Sequence, residues 1–285
     1  MKNKPTVSVI VTTFERKTLL GKTIRSILNQ SYSNFELIIV DNYSSYNISQ
    51  FIKSFKDDRI KLYQNKNSGI ISINRNYGVY KSKSDYIAFC DDDDVWYKDK
   101  LQTQMRVFNN NPDLLLNSTL ALKKGYKSSF FQVNFGILYR KYSLDIDCLV
   151  KLNPIIFSTV VLKKSVFLKL NGFSESKDLI SVEDLDLWLR IIDIGKISIT
   201  NEILINYLIH DKNTTNSFLK NRKIYLNKNG NNLKEYKPPF QRKDWGVIKL
   251  VLNTVVHLFV ILKLTFLKKI NNLLSTNFLK VKYNE

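Results

Sequence analysis

Cysteine and histidine are scarce in this chain of 285 residues. It has two cysteines, Cys90 and Cys148, which do not form a Cys-x-x-Cys pair, and two histidines, His210 and His257. Two cysteines exclude a disulfide scaffold and fit a reducing cytosol. So few histidines argue against a zinc site made of His and Cys. The chemistry of the chain is therefore expected to rest on other side chains.

Two common sequence patterns are also missing. Residues 12–16, which follow the first predicted strand, contain neither G-x-G-x-x-G nor G-x-x-x-x-G-K-[S/T], which disfavours a dinucleotide-binding or P-loop protein. The opening MKNKPTVSVIVTTF is not a signal peptide, because its apolar run is short, alternates with Thr and Ser, and precedes no small-residue cleavage site. We therefore expect a cytoplasmic protein.

Acidic residues are the minority, with 25 Asp and Glu against 44 Lys and Arg, for a formal net charge of +19. The excess indicates either an anionic partner, such as a nucleotide, nucleic acid or membrane face, or a genomic bias, because Lys, Asn and Ile are all abundant. The chain has no RNA- or DNA-binding motif, and its clustered acids would oppose phosphates. We therefore expect no nucleic-acid partner.

Buried strands and amphipathic helices alternate along the first part of the chain. Strands are predicted at residues 7–12, 36–40, 60–63 and 86–89, and helices at 19–28, 48–55 and 73–80. Continuous apolar runs such as VSVIVT are typical of strands buried on both faces. The alternation predicts an α/β fold with a parallel sheet flanked by helices, in which ligands bind beyond the carboxyl ends of the strands.

The remainder of the chain is predicted to hold further elements, a linker and a tail. An amphipathic helix is predicted to begin at residue 183, and a late strand is predicted at 204–208. We predict one domain over residues 1–220, a polar linker over 221–244 and a basic, apolar helical tail over 245–285. The tail resembles a helix that lies in a membrane interface. Packing on the domain and a homodimer contact are the alternatives.

Four consecutive aspartates, Asp91 to Asp94, follow the predicted strand YIAFC. Like charges at the end of a buried strand repel one another and lose solvation, so a cation is expected nearby. An EF-hand is excluded, because Val95 and Trp96 stand where a ligand and a glycine are required. A Mg²⁺ or Mn²⁺ ion shared with substrate phosphates fits better. The alternative is a solvated acidic turn that caps the next helix.

Two further residues are candidates for a phosphate-containing ligand. Arg75, on the predicted helix in NKNSGIISINRNYG, is a candidate cation for a phosphate. Asp41, at the end of the second strand, could accept a hydrogen bond from a nucleobase or a ribose. The alternative is that Asp41 is an ordinary turn or cap aspartate.

Several sequence segments, taken together and in their order along the chain, resemble the family 2 glycosyltransferases, which have the nucleotide-sugar-binding GT-A fold. The similar segments are SVIVTTFER, ELIIVDN, NSGIISINRN, YIAFCDDDDVW, NGF, VEDLDLWLR and YLIHDKNTTN, over about residues 7–216. The chain departs from the family pattern at Glu15, Ile73 and Asn171. These departures do not involve the charged motifs.

The resemblance implies roles on the donor side and on the acceptor side. The donor-side residues are Asp93 as the Mn²⁺ or Mg²⁺ ligand, Asp91 in its support, Asp92 at the ribose or sugar, Asp41 at the base (usually uracil), Arg75 at the diphosphate, and Thr12, Phe14 and Glu15 at the nucleotide. Asp94 is either a further ribose or sugar contact or an acceptor or support residue. On the acceptor side, Asp184 would be the catalytic base, and Glu183 would raise its pKa or orient it. The alternative for this pair is two helix N-terminal acids.

The resemblance leaves two possible roles for each of two further residues. Trp188 is either a core residue or an acceptor platform, and His210 is either a metal or phosphate contact or a structural histidine.

The sequence thus predicts an inverting, metal-dependent glycosyltransferase. Its donor would be a UDP-hexose or UDP-N-acetylhexosamine, and its acceptor a glycan, lipid-linked in one version of the hypothesis, in O-antigen, capsule or lipooligosaccharide synthesis. It would act peripherally on the cytoplasmic face of the inner membrane. The alternatives are an inactive docking module and a nucleotidyltransferase, although the latter usually carries a glycine-rich loop after the first strand.

Overall fold

The computed structural model describes residues 5–125, 131–133, 149 and 153–209. The predicted linker, the tail and His210 lie outside the described residues. The strands are β1 (Val7–Thr13), β2 (Phe35–Asp41), β3 (Ile60–Gln64), β4 (Tyr86–Asp91), β5 (Val95–Trp96), β6 (Leu114–Gly125), β7 (Phe131–Val133), β8 (Val161–Lys163) and β9 (Lys196–Ile209). The α-helices are α1 (Lys17–Leu28), α2 (Ile48–Lys53), α3 (Ile71–Lys81), α4 (Lys100–Asn110), α5 (Lys164–Lys169) and α6 (Glu183–Ile192).

The strands form one mixed sheet in the order β3-β2-β1-β4-β8-β6-β9-β5, and β7 pairs with β6. The first four strands in this order are parallel, as the alternating pattern predicted. Beyond β4 the directions are mixed, because β8 pairs antiparallel with both β4 and β6, whereas β6 and β9 are parallel. The predicted α/β arrangement is confirmed.

Helices cover the central strands on both sides, which explains their composition. Every residue of β1 and β2 is buried, as expected for parallel strands with helices on both faces. Helix α1 places Leu20, Ile24 and Ile27 on one side, and all three are fully buried. Their spacing of three and four residues is that of an amphipathic helix.

The core on the other side of the sheet is rich in aromatic rings. Phe89 on β4 stacks on Phe157, with ring centroids 5.0 Å apart, and also contacts Phe173. Phe173 meets Trp188 of α6 edge to face at 6.1 Å. Trp188 has no exposed surface and packs in this core.

Among the helices within the described ranges, none combines the length and apolar character needed to cross a membrane.

Candidate active site

The carboxyl ends of the parallel strands bring together parts of the chain that are far apart in sequence. Thr13, at the end of β1, is in register with Asp41 at the end of β2, and Thr12 is in register with Asp91 at the end of β4. Because the three strands run in the same direction, these residues lie at one edge of the sheet. The aspartate run therefore begins beside the turn that follows β1.

Burial disfavours negative charge on the aspartate run. Asp92 and Asp94 are buried, and the side chain of Asp91 is 29% exposed. Burial raises the pKa of Asp92 to about 6, against the opposing effect of the Arg16 guanidinium. Burial also raises the pKa of Asp94 well above its ordinary value, and it raises the pKa of Asp91 although the Arg75 guanidinium lowers it. Ionised carboxylates in such surroundings need positive charge close by.

Arg16 supplies part of that positive charge. Its Nη1 atom donates to Asp92 Oδ1 at 2.9 Å and to Asp93 Oδ2 at 2.8 Å. The hydroxyl of Thr13 donates to the other carboxylate oxygen of Asp92 at 2.7 Å. Arg16 stands at the N-cap position of α1, where its side chain makes no capping hydrogen bond. The turn after β1 is thereby joined to the aspartate run.

Asp94 fixes the aspartate run to the rest of the fold. Its carboxylate accepts a hydrogen bond from the backbone N–H of Leu208 on β9 at 3.0 Å. Its backbone carbonyl accepts one from the hydroxyl of Thr23 on α1 at 2.8 Å. Asp94 has no exposed surface. Its side chain therefore supports the loop, and its contact with a ribose or sugar remains a prediction.

Arg75 is the second cation at the aspartate run, and it joins two distant segments. Its guanidinium donates to Asp91 Oδ1 at 3.0 Å and to Glu183 Oε1 at 2.6 Å. The guanidinium lies over the ring of Phe157, 3.6 Å from its centroid, and only 6% of Arg75 is exposed. Charge-assisted hydrogen bonds in a buried setting are strong and geometrically specific. Arg75 therefore holds the end of β4 next to the start of α6.

Asp184 follows Glu183 in the first turn of α6, and it is half-buried. Its Oδ1 atom accepts a hydrogen bond from the backbone N–H of Leu185 at 2.7 Å. Burial and the adjacent Glu183 raise the pKa of Asp184 to about 7, while the Arg75 guanidinium opposes that rise. A carboxylate with a pKa near neutrality can accept a proton and release it again under cellular conditions.

Asp41 is fully buried beneath the turn that follows β2. Its carboxylate accepts hydrogen bonds from the backbone N–H and the hydroxyl of Ser44, with the shortest at 2.6 Å, and from the side-chain amide of Gln64 at 3.0 Å. This is the geometry of a turn aspartate. Its contact with a nucleobase, which the resemblance implied, remains a prediction.

A cavity of approximately 470 Å³ lies beside this turn. Its lining residues come from the turns after β1, β2 and β3, and they are Phe14, Asn42, Tyr43, Lys66, Ser68 and Gly69. Glu15 fixes the first of these turns, because its carboxylate accepts hydrogen bonds from the backbone N–H and hydroxyl of Ser45, at 2.5 and 3.0 Å. A half-exposed aromatic ring, that of Phe14, is available there to stack on a flat ligand.

A family model matches the part of the sequence that carries the aspartate run. The model described as "Glycosyl transferase family 2" matches residues 8–153, which is just over half of the chain. This chain belongs to glycosyl transferase family 2. The family predicted from the motifs is therefore confirmed.

Individual relatives support the same assignment. The O-antigen biosynthesis glycosyltransferase WbnJ of Escherichia coli is 33% identical over 219 residues, covering 75% of this chain and 83% of that protein. The UDP-Glc:alpha-D-GlcNAc-diphosphoundecaprenol beta-1,3-glucosyltransferase WfgD of E. coli is 30% identical over 198 residues, covering 68% of this chain and 73% of that protein.

A solved structure supports the fold. The mannosyltransferase PcManGT of Pyrobaculum calidifontis, in complex with GDP-Man and Mn²⁺, superimposes with a TM-score of 0.60 at 14% identity, over 84% of this chain and 67% of that one. The glycosyltransferase has the predicted GT-A fold.

The carboxylates of the glycosyltransferase suit one kind of metal ion. Asp91 and Asp93 offer oxygen donors, which Mg²⁺ and Mn²⁺ prefer. Within the described part of the chain, no group of three or more His, Cys, Asp or Glu side chains could hold an ion. Because Mg²⁺ is usually held by one or two carboxylates together with substrate phosphates, these residues fit a phosphate-shared ion. They do not form a complete cage for a metal ion by themselves.

Three residues of this site have no role among the predictions from the sequence. Arg16 and Thr13 bind the aspartate run from the turn after β1, and the hydroxyl of Ser158 accepts a hydrogen bond from the backbone N–H of Asp91 at 3.0 Å. One signal could have identified Arg16. Four acids at a strand end require a cation, and Arg16 follows the neighbouring parallel strand.

Proposed function

We propose that this glycosyltransferase moves a hexose or N-acetylhexosamine from a UDP-linked donor to a glycan hydroxyl, with inversion at the anomeric carbon. The observation that carries the proposal is the double contact of Arg75 with Asp91 and Glu183. Through it, the carboxylates expected at the donor diphosphate lie beside the pair that contains the expected base. One displacement requires these two groups at the same place.

The donor half of the proposal concerns the turns at the strand ends. Asp93, with Asp91 in support, would hold Mn²⁺ or Mg²⁺, and the bound ion would neutralise charge on the departing diphosphate. Asp92 would contact the ribose or the sugar. Phe14 lines the cavity beside the turn after β2 and would pack against the nucleoside. The donor and Mn²⁺ in the PcManGT complex support this half, and the UDP-Glc in the name of WfgD favours a UDP-linked donor.

The acceptor half of the proposal concerns Asp184. Its carboxylate would take the proton from the acceptor hydroxyl while that oxygen attacks the anomeric carbon. A pKa raised to about 7 by burial and by Glu183 makes Asp184 a stronger base than an ordinary aspartate. Glu183, held by Arg75, would keep the start of α6 in position for this step.

The acceptor itself is proposed from the relatives. WbnJ is named for O-antigen biosynthesis, and the acceptor in the name of WfgD is a sugar on diphosphoundecaprenol. We therefore place this enzyme in bacterial surface-polysaccharide synthesis, with a lipid-linked saccharide as its acceptor. Contact of the tail with the membrane surface would suit such an acceptor, and it remains a prediction for residues outside the described ranges.

The test is a donor screen on the full chain, with release of nucleoside diphosphate as the readout. UDP-, GDP- and dTDP-sugars are supplied with Mn²⁺ or with EDTA, together with membrane extract as the source of acceptor. We expect release from one UDP-sugar, dependent on the metal. Asp184→Asn should lower the rate by roughly 10²- to 10⁴-fold, whereas Asp193→Asn, an exposed change at the other end of α6, should leave it unchanged.

Three results would contradict the proposal. Full activity of folded Asp184→Asn would exclude Asp184 as the base. Absence of release from every donor would favour the inactive docking module. Pyrophosphate formed from a sugar phosphate and a nucleoside triphosphate would indicate a nucleotidyltransferase.

A further inference from the structure

Arg16 binds Asp93, the aspartate that would hold the metal ion. Its Nη1 atom is 2.8 Å from Asp93 Oδ2 and 2.9 Å from Asp92 Oδ1. A single nitrogen therefore bridges the carboxylates of two consecutive aspartates. The side chains of Asp92 and Asp93 are only 6% and 9% exposed, whereas that of Arg16 is 32% exposed. The carboxylates are fixed in the protein, and the cation reaches them from the solvent side.

The turn that carries Arg16 is anchored separately from its guanidinium. The backbone N–H of Glu15 donates to the hydroxyl of Ser44 at 2.9 Å, and the carboxylate of Glu15 binds Ser45. The first turn of α1 begins with the hydrogen bond from Leu20 N–H to the Arg16 carbonyl, at 2.9 Å. These contacts do not involve the guanidinium. The side chain can therefore change rotamer while the backbone of the turn keeps its place.

We propose that Arg16 is a resident counter-ion, which holds the metal position of Asp93 before the donor arrives and leaves it when the ion and the nucleotide bind. This inference rests on the proposed function for the existence of the ion. Arg16 Nη1 lies 2.8 Å from Asp93 Oδ2, and a divalent cation bound to that same oxygen atom would stand close enough to the guanidinium for the two positive charges to repel each other strongly. The two cations therefore bind in exchange for each other.

Exchange has a consequence for the order of binding. An ion that binds without nucleotide must displace Arg16 from its two charge-assisted hydrogen bonds. In return, the ion gains only the carboxylates of Asp91 and Asp93 as protein ligands, and Asp91 is already bound by Arg75. An ion that arrives with a nucleotide gains the diphosphate oxygens as well. The same oxygens offer the displaced guanidinium a new anionic partner. The enzyme should consequently bind the metal weakly alone and tightly with nucleoside diphosphate.

The test measures Mn²⁺ binding to the full chain, with the electron paramagnetic resonance signal of free Mn²⁺ as the readout. Without nucleotide, Arg16→Gln should bind Mn²⁺ on the order of tenfold more tightly than the wild type, because the competing charged hydrogen bonds are gone. Arg16→Lys should lie between the two. Arg25→Gln on α1 is the matched control, since it removes the same charge from a residue that contacts Gly21 and Phe55 instead.

Comparing Mn²⁺ binding with and without nucleotide distinguishes a failure of this inference from a failure of the proposed function. If wild type binds Mn²⁺ with UDP but folded Arg16→Gln does not bind it more tightly without UDP, the exchange is refuted and the metal site stands. If Arg25→Gln gains as much as Arg16→Gln, the gain is a general effect of net charge and the exchange is also refuted. If no protein binds Mn²⁺ with UDP or GDP, both proposals fail. Circular dichroism establishes that each variant is folded.

Discussion

At the scale of single residues, three side chains set the basicity of Asp184. Partial burial and the neighbouring Glu183 raise its pKa, the Arg75 guanidinium lowers it, and the Asp91 carboxylate raises it to a smaller extent. Arg75 is shared, because it also binds Asp91 at the end of β4. A change at Asp91 is thus expected to alter the pKa of Asp184, the proposed base, through Arg75.

This arrangement predicts how the rate depends on pH. Asp184 must be ionised to act as a base, so kcat/KM should rise with pH and level off above about 7. Glu183→Gln removes a like charge next to Asp184 and should move this rise to lower pH, by on the order of one pH unit. The measurement is the pH profile of kcat/KM at saturating Mn²⁺.

The control for this profile is Asp193→Asn, which removes one negative charge from the far end of the same helix. Its rise should coincide with that of the wild type, because solvent screens an exposed charge at that separation. An unchanged or upward-shifted rise in Glu183→Gln would contradict the account of Asp184.

The sequence located some of these residues and missed others for a physical reason. Strand ends are readable from apolar runs, so the sequence alone places Asp41 and the aspartate run at one edge of the sheet. The contact of Arg16 with Asp93 joins residues that are 77 positions apart. It depends on β1 being the neighbour of β4, and the apolar pattern of the strands does not specify which strands pair.

At the scale of elements, helix α3 packs unusually closely on the sheet at Gly78. A Cβ atom there would lie 2.6 Å from Ile10 Cγ2 on β1 and 3.2 Å from Val40 Cγ2 on β2. Both neighbours are buried, β-branched side chains with little freedom to move. The same helix carries Arg75, so its distance from the sheet determines where the guanidinium lies.

Gly78→Ala should therefore destabilise the protein by about 1–3 kcal/mol, as measured by denaturant unfolding. Gly21→Ala in α1 is the matched control. Its Cβ would meet the tip of the Phe51 ring at 3.3 Å. The better helix propensity of alanine stabilises this variant by up to about 1 kcal/mol, which offsets the cost of that contact. Equal stability of the two variants would show that α3 is not held by this close contact.

The elements that the sequence predicted well are the long, periodic ones. Helix α3 begins at Ile71, two residues before its predicted start, and β1 and β2 agree to within one residue at each end. The predicted strand at 204–208 is only part of β9, which extends from Lys196 to Ile209 along β6. The two-residue strand β5 was missed, because it is defined by pairing with β9 and is too short to have a period.

At the scale of the whole molecule, a cluster of aspartates at the strand ends belongs to a chain that is strongly basic overall. The formal net charge of +19 contrasts with the aspartates at the strand ends. An anionic donor would be attracted by the overall charge, and a divalent cation bound with it would offset the negative charge of these aspartates. This view agrees with a nucleotide partner, one of the two explanations that composition alone left open.

The proposed transfer is a single displacement, in which Asp184 would deprotonate the acceptor while the diphosphate leaves. The most direct test is the anomeric configuration of the product, determined by proton NMR after transfer from an α-linked UDP-sugar. Inversion at one step predicts a β-linked product. An α-linked product would contradict the account, because retention requires a mechanism in which Asp184 is not the base of a single attack.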